Sequence, residues 1–111
     1  GRRFLGMTVE ERSAGLVVKS VVPNSPAARA GLHPDDRLIA VNGRSLVRAT
    51  SREFKQILAD ARETGRVWMI ISRYGAYRKV ETRLEPYTKE QIDKIVAAHL
   101  SQYHTSTAGA H

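Results

Sequence analysis

From Phe4 the apolar positions alternate with polar ones through Glu10, the two-residue period of a strand with one buried face. The small, turn-forming run SAG at 13–15 ends it. Residues 16–23, LVVKSVVP, are rich in valine and predict a second strand that stops at Pro23. In NSPAARAGL, Ser25 is placed to cap a helix, Pro26 occupies its first position, and Gly31 stops it after little more than a turn. Leu38 to Val41 form a short strand, and Asn42-Gly43 a tight turn. The spacing of Phe54, Ile57, Leu58 and Ala61 predicts a helix over 51–62, capped at Thr50 or Ser51 and closed by Gly65. VWMIIS (67–72) reads as a buried strand, and Tyr74-Gly75 turns it into a last strand over 76–84.

The pattern changes after Pro86. Thr88 can cap a helix whose Ile92, Ile95, Val96 and Leu100 lie on one face. That stripe needs a surface to bury against. We therefore divide the chain into a domain over 1–86, a helical extension over 87–101 and a flexible tail over 102–111.

At 111 residues there is room for one hydrophobic core, and 41% apolar with 26% charged residues is ordinary globular composition. No apolar run approaches the roughly 18 residues of a membrane helix, and no signal peptide is visible in the chain. The absence of cysteine excludes disulfides, thiol catalysis and cysteine-rich zinc sites, and leaves the compartment open. The net charge of +7 is spread along the chain rather than gathered into a basic arm. A basic surface can attract nucleic acid or anionic lipid, but the even spread argues against either as the main partner, and no membrane insertion is expected.

Other chemistries find little support. His33, His99, His104 and His111 do not form a metal-ligating spacing, so neither metal nor cofactor is expected. No nucleophile elbow, triad order or phosphate loop is present. Asp35-Asp36 reads as a pair of solvated turn formers rather than paired catalytic carboxylates, and Trp68 as a core residue. The chain is expected not to be an enzyme.

Gly6 fits none of these patterns. It stands among Phe4, Leu5 and Met7, where a glycine gives up side-chain packing at the start of a strand. The order strand, strand, SPAARAGL, DDRLIAVNG, long helix, strand pair resembles a PDZ domain over about residues 4–85. Asp35-Asp36 stands where the family usually has Gly-Asp, a change in a turn and not in the groove. SRYGAYRKVETRLEP is similar to the terminal strand pair of the circularly permuted, bacterial-style form of HtrA-type and carboxyl-terminal processing proteases. There the last strand fills the place of a missing first one. An animal-type domain trimmed at its N-terminus is the alternative.

The resemblance implies an α+β fold: a small, partly open antiparallel β-barrel or sandwich of five to six strands, with one short and one longer helix, here followed by the C-terminal helix. It implies a binding domain whose longer parent could be a protease: a protein-interaction module that takes the extended C-terminal end of a partner as an added strand. Phe4-Leu5-Gly6-Met7 matches the family's carboxylate loop, which makes the N–H groups of Leu5, Gly6 and Met7 the donors. Thr8 is counted with Phe4 to Val9 among the peptide-binding residues of this strand, and alternation from the loop puts Leu5, Met7 and Val9 toward the pocket. For the helical wall two registers stay open. One turns Phe54, Leu58 and Ala61 to the groove; the other places Ser51 at its start, Lys55 one turn on, and Leu58 in the pocket. Peptides with an apolar last residue are the expected partners. For Arg2 and Arg3 two readings stay open: long-range attraction for the carboxylate, or solvated residues at a frayed end with no part in binding. The competing reading is an assembly or autoinhibited domain, self-associating through the 87–100 helix or tail, with the groove secondary.

Overall fold

The computed structural model describes residues 3–86, 88–90, 92–94 and 96–97. The single strand expected over 4–10 is two strands, β1 (Arg3–Phe4) and β2 (Met7–Arg12), because the chain turns at Leu5-Gly6. The Leu5 carbonyl accepts from the Ala27 N–H at 2.9 Å and the Gly6 carbonyl from the Val22 N–H at 2.8 Å. Those bonds draw the backbone out of line, and Gly6 takes φ +90° to follow them.

β3 (Gly15–Val21) returns antiparallel along β2, with an irregularity where Thr8 pairs with Ser20 and Val9 with Val18, leaving Lys19 as the extra residue. α1 (Pro26–Arg29) is one turn long, and the Ser25 hydroxyl caps it by accepting from the Ala28 N–H at 3.1 Å. β4 (Arg37–Val41) passes through the positive-φ pair Asn42-Gly43 into the two-residue β5 (Arg44–Ser45). α2 (Ser51–Asp60) is capped by Thr50, whose hydroxyl accepts from the Glu53 N–H at 3.1 Å. β6 (Arg66–Arg73) and β7 (Ala76–Arg83) form a hairpin, and β8 (Glu85–Pro86) ends the series.

The larger sheet runs β2-β3-β4-β6-β7, with β5 beside β4, and is not closed into a barrel. β8 pairs with β1 through Arg3 with Pro86 and Phe4 with Glu85. The last strand thus lies against the segment that leads into Gly6, as the permuted arrangement implies. The fold is α+β, with a core of Leu16, Val18, Leu38, Val41, Leu46, Phe54, Met69 and Ile71.

Two readings are corrected. Asp36 is not a solvated turn former: it is 1% exposed. The Arg73 guanidinium donates to both its oxygens at 2.8 and 2.7 Å, and the His33 N–H donates at 2.8 Å. Only Asp35 is solvated; it holds φ +74° and accepts from Arg12 at 2.9 Å. Trp68, expected in the core, is 37% exposed. Within β6 it is Val67, Met69 and Ile71 that face inward, so Trp68 falls on the outer face, where the Lys79 ammonium lies 5.4 Å from its ring centre.

Residues 89–90, 92–94 and 96–97 are helical. Ile92 and Val96 are 47% and 49% exposed, while Ile95, Leu100 and the expected tail over 102–111 lie outside the described residues.

Candidate functional site

β2 ends the strand order, so among the described residues one of its edges has no partner strand, and α2 packs beside that edge. Register decides which backbone groups face the gap. The bond from the Val22 N–H to the Gly6 carbonyl makes Met7 and Val21 a non-hydrogen-bonded pair. The N–H of Met7 is then directed away from β3, toward α2 and open space.

A cavity of about 490 Å³ lies there. The run 4–8 lines one side, and Lys55 and Leu58 of α2 line the other, with Leu84 and Val22 adding apolar surface. Helical geometry explains which α2 residues take part. At 100° per residue, Ser51, Lys55, Leu58 and Arg62 share one face, while Phe54, Ile57 and Ala61 share the next. The second face is turned to the core: Phe54 is 2% exposed and Ala61 is buried. The expectation that Phe54 lines the pocket is therefore corrected; it anchors the helix that carries the wall. Val9 packs against the core and is not part of the cavity lining, and Ser51 lies at the far end of α2, its hydroxyl 3.5 Å from the Glu11 carboxylate.

Gly6 answers to packing as well as to backbone freedom. The Ser25 hydroxyl donates to the Gly6 carbonyl at 3.2 Å, and a Cβ on Gly6 would overlap the Ser25 side chain. The loop is thus clamped to α1 through its carbonyls.

Arg3, Arg62 and Lys94 also line the cavity. Arg3 is held in place: its Nη1 donates to the Arg62 carbonyl at 3.1 Å and packs where a Cβ on Gly65 would stand 2.6 Å away. Arg62 was visible in principle as the residue seven after Lys55 on the same helical face. Leu84 and Val22 carried no signal, since no local period relates them to β2. Arg2 lies outside the described residues.

Among the described residues no group of three or more His, Cys, Asp or Glu is placed to hold a metal, and no helix is long and apolar enough to cross a membrane. His99, His104 and His111 lie outside them.

Comparison with known proteins finds relatives of the same fold. Serine endoprotease DegS of Haemophilus influenzae is 32% identical over 73 residues, 66% of this chain and 21% of that protein, so the chain spans about a fifth of that relative's length. The HtrA3 PDZ domain, solved with a phage-derived ligand, FGRWV, superposes with a TM-score of 0.60 at 26% identity, covering 76% of this chain and 86% of that one. HtrA-type protease AlgW, solved with a decapeptide, superposes with a TM-score of 0.64 at 25% identity, over 78% of this chain and 30% of that one. A family model of the PDZ domain matches residues 1–71, and with the edge strand, the glycine turn and the strand order all in place, the chain belongs to the PDZ-domain family.

Proposed function

We propose that this protein-interaction module binds the C-terminal end of a partner as a strand added to the free edge of β2. The observation that carries the reading is the unpaired edge of β2 ending in the apolar cavity beside Leu58 and Met7. A peptide antiparallel to β2 takes main-chain hydrogen bonds along it. Its last side chain enters the cavity, and its carboxylate meets the turn at Leu5, Gly6 and Met7, with the Met7 N–H aimed at it. The peptide-bound relatives support this mode. Leu5, Met7 and Leu58 then form the apolar pocket, Phe4 and Thr8 flank it, and Ser51 and Lys55 lie upstream along the peptide. Recognition rather than catalysis is the role we assign to the chain, and in a longer parent it would serve to sense a substrate or partner.

Ordering a flexible peptide offsets much of the gain from one buried side chain and a few backbone bonds. Affinity in the micromolar range, about −8 kcal/mol, is expected. The test is an NMR titration of labelled protein with short peptides ending in a free or amidated apolar residue. Shifts over Leu5 to Val9 and α2, seen only with the free carboxylate, are expected. Equal binding of the amidated peptide would overturn the carboxylate assignment. Leu58→Ala removes the apolar side chain that α2 contributes to the pocket and should weaken binding about tenfold while the spectrum stays folded.

A second reading, assembly through the helix after Thr88, is favoured by one observation: Ile92 and Val96 leave half of their surface uncovered.

A further inference from the structure

The groove carries more positive charge than a single carboxylate calls for. Arg3, Lys55, Arg62 and Lys94 all line the cavity, and no Asp or Glu does. The larger cleft of about 740 Å³, between α1 and the β6–β7 hairpin, mixes Arg29, Arg66 and Arg83 with Glu81 and Glu85. Elsewhere among the described residues five cations are paired with carboxylates: Arg12 with Glu10 and Asp35, Arg29 with Glu85, Arg44 with Asp60, Arg73 with Asp36 and Lys79 with Glu81. Of the four groove cations only Lys94 has a carboxylate partner among the described residues, Glu90 at 3.4 Å.

Their placement is graded along the groove. Arg3 and Arg62 stand together beside the glycine turn, joined by the bond from Arg3 to the Arg62 carbonyl. Lys55 is seven residues earlier on the same face of the α2 segment, about 10 Å away along the helix. An extended peptide covers that distance in about three residues. Cations therefore flank both the terminal carboxylate and the side chains just upstream of it.

We propose, resting on the groove reading above, that the domain selects anionic peptide ends: an apolar last residue with Asp or Glu among the three positions before it. Lys55 on α2 and Arg62 just beyond its C-terminal end are the specificity-determining residues, and Lys94 brings the segment after the domain into the same selection. The groove's exposed cations act through solvent, so each matched charge adds a modest factor, and the effect is screened by salt.

The experiment is fluorescence anisotropy of the full chain with labelled peptides of one length, each ending in a free Val, with Glu, Gln or Lys at the three upstream positions, and an amidated copy of each. The Glu peptide should bind about five- to tenfold tighter than the Gln peptide at low salt, and the Lys peptide weaker than both. In Lys55→Gln/Arg62→Gln the Glu-to-Gln ratio should fall toward one. In Arg48→Gln/Arg78→Gln, which removes two cations that do not line the cavity, the ratio should persist. Equal binding of the Glu and Gln peptides overturns the inference and leaves the groove reading standing. An equal fall of the ratio in both double variants overturns it too, since the preference would then belong to the overall charge. Binding indifferent to amidation, or absent for every peptide, overturns the groove reading and the inference with it.

Discussion

Gly6 has two separable reasons to be glycine. Its φ of +90° belongs to the region that L side chains rarely adopt, and its missing Cβ leaves room for Ser25. Gly31 supplies the comparison, since it has φ +87° but nothing within 4 Å of the place a Cβ would take. Gly31→Ala should cost about 1 kcal/mol by urea denaturation, the backbone contribution alone. Gly6→Ala should cost at least about 2 kcal/mol more, because the overlap with Ser25 must be relieved by moving α1 or the loop. Equal costs for the two would show that the clamp between loop and α1 yields easily. At the same scale, the sequence marks Gly6 as unusual but says nothing of Ser25, 19 residues away, as the group it must avoid.

Among the elements, β6 and the loop before β4 are tied by Asp36 and Arg73. Burial by itself pushes the Asp36 carboxyl up, but hydrogen bonds from Arg73 and the His33 N–H, with the Arg73 charge, outweigh it and hold the group below its usual range. A carboxyl lowered in the folded state stabilises the fold above its unfolded value, about 3.9, and that contribution is lost as pH falls through the folded value. Asp36→Asn leaves the Arg73 guanidinium without its counter-charge and should cost about 3 kcal/mol at pH 7. Urea unfolding at pH 7 and pH 3 checks the sign: the gap between parent and variant should narrow at pH 3. A gap that stays constant would mean that the carboxylate charge contributes nothing. The element itself was legible in outline, as a turn of two acids before a strand. That one acid points inward was not, because its partner lies 37 residues on.

At the scale of the whole molecule, the helical segment after Thr88 combines a groove cation with half-exposed apolar residues. Lys94 reaches the groove, while Ile92 and Val96 are only half covered. Removing residues 87–111 should leave the domain folded, with the same number of protomers per particle by light scattering, and should weaken the preference for acidic peptides through the loss of Lys94. A mass that falls from dimer to monomer on truncation would favour assembly through the stripe. Tighter binding of every peptide would instead mark a tail that competes for its own groove.

Local chemistry in the sequence determined most of the elements: the SPAARAGL cap and stop, the Asn42-Gly43 and Tyr74-Gly75 turns, the amphipathic α2, and the family to which they add up. These are legible because capping, turn preference and periodicity act within a few residues. The tertiary structure decided the rest. It broke the first strand at Gly6 through bonds to Val22 and Ala27, turned Phe54 inward and Lys55 outward, moved Trp68 to the surface, buried Asp36, and brought Arg3, Arg62 and Lys94 to one cavity. Each of those outcomes depends on a partner far away in the chain, and only packing brings such partners together.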